Sequence, residues 1–121
     1  LQPGREELSG RQQLDLLAVA PCTGNTLAKL AAGITDTPVT LAVKAHLRNL
    51  RPTVIAVSTN DALSGSAQNI GRLLNRKNIF FVPMKQDDPE KKPRSVVADF
   101  ERLGDTIEAA CQGRQIQPIF I

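Results

Sequence analysis

A chain of 121 residues, 41% apolar and 22% charged, has room for a single domain with one modest core. Fifteen Lys and Arg against twelve Asp and Glu leave a scattered net charge of +3, and four Phe stand without Trp or Tyr; nucleic-acid binding, which needs a basic stripe and aromatics to stack bases, is set aside. Cys22 and Cys111 fit neither a disulfide scaffold nor metal-ligand spacing, so reduced thiols, no metal and a cytoplasmic setting are expected, and no apolar run nears the roughly 20 residues of a membrane span.

In chain order, Leu14 to Ala20 is a short apolar run stopped by Pro21, and it reads as a strand buried on both faces. Leu27, Leu30, Ala31 and Ile34 follow at helical spacing, with Asn25 or Thr26 placed to cap the start and Gly33 near the end. Thr37-Pro38 opens a second helix whose inward stripe is Val39, Ala42, Val43, His46 or Leu47, and Leu50. Thr53 to Ser58 is the second strand, β-branched and apolar. After the polar loop TNDALSGS, a third helix is marked by Ala67, Ile70, Gly71 and Leu74. Ile79 to Val82 is the third strand, stopped by Pro83, and Met84 to Pro93 is a charged, proline-containing loop. Ser95 is placed to cap a last helix with the stripe Val96, Val97, Phe100, Leu103, Ile107, and Ala110 or Cys111, ended by Gly113. The tail Gln115 to Ile121 is a candidate edge strand interrupted by Pro118.

Strands alternating with helices give a three-layer α/β fold, flavodoxin-like or Rossmann-like, built on an open parallel sheet in a single domain. In such a sheet every strand-to-helix loop leaves at the carboxyl edge, where ligands bind. Those loops are Pro21 to Thr26, Thr59 to Ser66 and Pro83 to Arg94, and function is expected there. The helix-to-strand turns RNLRP and NRKN at the other edge are basic and read as solvated. The first loop sets hydroxyls, an amide and Gly24 before a helix N-terminus, where free N–H groups favour an anion or a carbonyl. Capping of the helix is the alternative use of the same residues. Neither GxGxxG nor a P-loop occurs.

The segment Ala20 to Asp36, APCTGNTLAKLAAGITD, resembles the signature of the flavin-dependent cysteine decarboxylases and their relatives, through Ala20, Pro21, Asn25, Thr26, Ala28, Lys29, Gly33, Ile34 and Asp36. Across the chain, APCTGNT, KAHLRN, VSTND, NRKNIFFVPMKQDDPEKKPRS and QIQP resemble the B-subunit family of dipicolinate synthases. The resemblance implies FMN as cofactor, with Pro21, Cys22, Thr23, Gly24, Asn25 and Thr26 at the isoalloxazine ring and Ser58, Thr59 and Asn60 completing the pocket. It implies a Rossmann-type A subunit as partner, a homo-oligomer, and oxidation of a small cyclic dicarboxylate, dihydrodipicolinate or its precursor, to dipicolinate in spore formation. It also implies an N-terminal strand with a phosphate-binding turn that these residues do not include. The domain is therefore expected to be incomplete at its N-terminus, with one wall of the flavin site lying outside the chain. Where the decarboxylases carry PxMNxxM, Val57 to Leu63 keeps Asn60 but lacks the Pro and both Met, which counts against a cysteinyl substrate. A decarboxylase and a non-catalytic scaffold for the A-type partner are the other readings, and no proton-transfer residue is named.

Single residues carry alternatives. Lys29 can face a phosphate or solvent, and Asn60 and Asp61 fit either an Asx-turn or ligand contact. His46 lies on a helix stripe, which favours a half-buried structural histidine over a general base. Cys22 precedes a helix N-terminus, where a thiol can be acidified, but packing as a small residue against a flavin is preferred; Cys111 reads as core. Lys91, Lys92 and Arg94 read as a solvated loop, with substrate or partner docking as the alternative.

Overall fold

The computed structural model describes residues 16–121, so Leu14 and Asp15 of the expected first strand lie outside the described residues. At its centre β2 (Thr53–Thr59) is flanked in parallel by β1 (Leu17–Cys22) and β3 (Ile79–Phe81), with Thr53 level with both Leu17 and Ile79. The middle of each strand is apolar because both sheet faces are covered. On one face Val19, Ile55, Val57, Ile79 and Phe81 meet Leu27 and Leu30 of α1 (Gly24–Ala32), Val43 of α2 (Pro38–Arg48), and Ile70 and Leu73 of α3 (Ala67–Leu74). On the other, Val54, Ala56, Phe80 and Val82 meet Leu103, Ile107 and Ala110 of α4 (Leu103–Cys111). The expected three-layer α/β architecture is the one that forms.

The sheet is not parallel throughout, which corrects the sequence reading of residues 95–102. Val96 to Ala98, expected to open the last helix, form strand β5 (Val96–Ala98), which pairs antiparallel with Ser58 and Thr59 of β2 and with β4 (Met84–Lys85). Two adjacent valines favour extended backbone, and the unpaired end of β2 gives them a ladder to join. The helical turn begins only after Asp99, whose carboxylate accepts from the Glu101 N–H at 3.3 Å. Ser95 therefore caps nothing, Phe100 is left exposed, and Cys111, expected in the core, is exposed at the end of α4.

Smaller corrections concern single residues. Leu73 faces the core in place of the expected Leu74, and Leu50 lies beyond α2 at 76% exposure with φ of 59°. The first strand runs past Pro21 to Cys22, with an irregular register to β2 between Val19 and Cys22 that accommodates a residue lacking an N–H. Ile34, expected on the stripe of α1, lies beyond that helix and is exposed, and Met84 and Lys85, expected in a loop, form β4, because Met84 is drawn into the core. Thr37 and Thr40 form a reciprocal capping box under Pro38, and Gly33 closes α1 at φ of 76°. The tail does pair at an edge: Met84 and Phe120 form a bridge, with the Met84 N–H donating to the Ile119 carbonyl at 2.8 Å.

The outer edge of β3 is closed by a single side chain. The Phe81 N–H donates to Gln115 Oε1 at 2.8 Å, and Gln115 Nε2 donates back to the Phe81 carbonyl at 2.6 Å, so one amide substitutes for a neighbouring strand. Phe81 itself is fully buried. Gln115→Ala leaves both backbone groups without this partner and is expected to lower the unfolding free energy by about 1–3 kcal/mol. A urea titration would read this as a lower midpoint at unchanged slope; an unmoved midpoint would show that the clamp contributes nothing.

Candidate functional site

Neighbouring parallel strands release their loops at the same edge, and the structure brings the first two together. Cys22 stands level with Val57, so residues 23–26 and 58–61 emerge side by side. Helix α1 starts at once. Thr23 is its cap, in extended conformation, with Oγ1 accepting from the Thr26 N–H at 3.4 Å and its carbonyl accepting from the Leu27 N–H at 2.9 Å. The cap is therefore Thr23 rather than Asn25 or Thr26, which lie in the first helical turn. The strand consumes the chain up to Cys22 and leaves only one extended residue for capping.

Gly24 is where the two segments touch. A Cβ on it would stand 2.9 Å from Thr59 Oγ1, 3.2 Å from Ser66 Oγ and 3.3 Å from Asp61 Oδ1. Those three groups form a network of their own. Thr59 Oγ1 donates to Asp61 Oδ1 at 2.6 Å, and Ser66 Oγ donates to the same oxygen at 2.8 Å. The Asp61 carbonyl also accepts from the N–H groups of Ser64 and Ser66, both at 3.0 Å. The hydrogen bonds from Thr59 and then Ser66 hold the Asp61 carboxyl below its ordinary range. Asp61 is thus the hub of a closed polar loop, while Asn60 beside it is exposed.

The third loop joins the second through the Leu63 N–H, which donates to the Arg94 carbonyl at 3.0 Å. It closes on itself where Gln86 Nε2 donates to the Pro93 carbonyl at 3.0 Å and the Asp88 carboxylate accepts from the Lys91 N–H at 3.2 Å. Lys91, Lys92 and Arg94 are exposed on it.

The expected site residues are distributed as follows. Pro21, Thr23, Asn25 and Asn60 are exposed at this edge, and Gly24, Thr26, Ser58 and Thr59 are half-buried in it. Neither Asn25 nor Asn60 spends its side chain on a hydrogen bond among the described residues. Cys22 is fully buried in the core, and burial pushes its thiol up to about 12, so it stays protonated. Lys29 pairs with Asp36 at 3.0 Å. His46 places Nδ1 3.3 Å from the Ala42 carbonyl; burial, aided by the charge of Arg51 and opposed by that hydrogen bond, lowers its pKa and keeps the ring neutral. Sequence reasoning misses Ser66 and the hub role of Asp61, whose only trace is an acid flanked by hydroxyls in a polar loop.

Cavity size and loop chemistry point to different places. A cavity of about 370 Å³ lies among α1, α2 and Arg76, away from Gly24, and one of about 210 Å³ adjoins Leu63, Met84 and Phe120. The meeting of the loops, with unspent amides and the start of a helix, makes the carboxyl edge the candidate site. Among the described residues no group of His, Cys, Asp and Glu could hold a metal, and no helix is long and apolar enough to cross a membrane.

A family model described as Flavoprotein matches residues 3–111. The chain is 50% identical over 116 residues to the B subunit of dipicolinate synthase from Bacillus subtilis (strain 168), an alignment covering 96% of this chain and 58% of that protein. The crystal structure of the B subunit of dipicolinate synthase from Bacillus halodurans superposes with a TM-score of 0.89 at 48% identity, over 96% of this chain and 60% of that one. The FMN-dependent cysteine decarboxylase SpaF superposes with a TM-score of 0.53 at 29% identity, over 82% of this chain and 52% of that one. The chain therefore spans less than two thirds of the length of each of these relatives.

Asp61 makes the site's electrostatics measurable. Its carboxyl carbon is expected to titrate below 3.8, and Thr59→Val combined with Ser66→Ala is expected to return the midpoint toward 3.8. Because the folded value is the depressed one, the loop gains stability above pH 3.8 and loses it as the pH falls through the folded midpoint. A wild-type midpoint at or above 3.8 would contradict the network.

Proposed function

This chain belongs to the flavoprotein family, and we propose that its carboxyl edge holds FMN as part of the B subunit of a dipicolinate synthase. The observation that carries this reading is the meeting of residues 23–26 with residues 58–61, which leaves Asn25 and Asn60 exposed and unpaired on one rim. The flavin ring carries carbonyls and ring nitrogens at one end, and two side-chain amides offer donors and acceptors to match them. The first turn of α1 adds backbone N–H groups of Gly24 and Asn25 and the positive end of the helix. These features fit the cofactor.

When bound, the flavin supplies a two-electron acceptor, the chemistry that aromatising a dihydro-dicarboxylate ring requires. The protein's part is position and field. Pro21, Thr23, Asn25 and Thr26 line the ring from β1 and α1, with Gly24 holding that turn against the loop that follows β2. Ser58, Thr59 and Asn60 complete the pocket, and Asp61 fixes Thr59. Cys22 supports from beneath through its backbone and its place in the core. The charged loop that ends at Arg94, through Lys91, Lys92 and Arg94, is the proposed contact for substrate or for a Rossmann-type A subunit. Assembly as a homo-oligomer, a cytoplasmic location and a role in spore formation belong to the same proposal.

Similarity to an FMN-dependent cysteine decarboxylase favours decarboxylation as the second reading. Val57 to Leu63, lacking Pro and Met where the decarboxylase signature has them, counts against it. In the full-length protein, Asn25→Ala with Thr26→Ala is expected to weaken FMN binding by roughly tenfold or more, read by flavin fluorescence, and to lower dipicolinate formation together with it. Full activity of the complex with no bindable FMN would leave only a scaffold.

A further inference from the structure

The cavity of about 370 Å³ lies at the opposite end of α1 from Gly24. Two of its lining residues, Arg48 and Arg76, stand at or just past the ends of α2 and α3, where the chain turns back into β2 and β3. Leu30, Ile34, Val43 and Leu47 give it apolar walls, and Ile34 remains 46% exposed. Lys44, Arg48 and Arg76 surround those walls, and among the described residues no carboxylate lines the cavity. None of the three cationic side chains has an ion pair or hydrogen bond among the described residues, and Asp36, the nearest acid in sequence to Thr35 of the lining, is occupied by Lys29.

Three unpaired like charges around apolar walls repel one another, and the walls leave apolar surface in water. A ligand with an anionic head and an apolar body relieves both at once. The volume falls within the range of small-molecule sites, which are mainly apolar with a few placed polar groups. We infer that this cavity binds an amphiphilic anion, a carboxylate or similar head on an apolar body, at the amino edge of the sheet. This site is separate from the flavin site proposed above and does not depend on it. It assigns a task to the basic turns RNLRP and NRKN, which read from sequence as solvent-facing.

The test uses full-length protein with labelled Ile, Leu and Val methyl groups, titrated with hexanoate and with hexanol, which has the same chain without the charge. Hexanoate is expected to shift the methyls of Leu30, Ile34, Val43 and Leu47 saturably, and to bind at least roughly fivefold more tightly than hexanol. Arg48→Ala with Arg76→Ala replaces side chains outside the core, should leave the remaining methyl spectrum unchanged, and should reduce hexanoate affinity toward that of hexanol, with Lys44 left as the one remaining cation of the lining. Shifts confined to other methyls, no shifts, equal affinity for the two probes, or undiminished hexanoate binding in the double variant would each overturn the assignment.

Discussion

The constraint on which the rest of this arrangement depends is the approach of the Gly24 backbone to the loop after β2, where a single added carbon would sit 2.9 Å from Thr59 Oγ1. It exists because β1 and β2 are parallel neighbours that still pair at Cys22 and Val57, so that both chains leave the sheet at the same edge. From it follow the position of the first turn of α1, the packing of α1 against α3, and the closed network in which Asp61 ties Thr59 to Ser66. A glycine at that point is set by neighbours rather than by backbone angles. Any side chain there would have to push back a hydrogen-bonded loop.

Much of this arrangement is legible in the sequence, for physical reasons. Strands buried on both faces must be apolar at nearly every core position, and the runs Val54 to Val57, within the expected strand Thr53 to Ser58, and Ile79 to Val82 announce themselves that way. Once the strands are known to be parallel, the edge at which their strand-to-helix loops gather follows. Legibility fails where short-range signals compete. Val96 and Val97 fit a helix stripe as well as a strand, and only the unpaired end of β2, a long-range partner, decides between them. Thr23, Asn25 and Thr26 are all good caps, and the extent of β1 decides which one acts. Cys111 and Leu74 escape a reading by periodicity because one residue at the margin of a stripe is enough to turn a side chain from core to solvent.

Two chemistries therefore occupy opposite edges of one sheet. The carboxyl edge gathers hydroxyls, amides and a helix start. The amino edge gathers cations around an apolar hollow. The family relationship speaks to the first and is silent on the second. The chain spans 58% of the length of the Bacillus subtilis relative, so residues of a longer protein can add to either edge.

The most direct test of the central claim is an amide NMR titration of the full-length protein with FMN. Resonances of Thr23 to Thr26 and of Thr59 to Asp61 are predicted to move together along one binding curve, because one ligand touches both segments. Movement of only one segment, or of neither while FMN binds, would contradict the account.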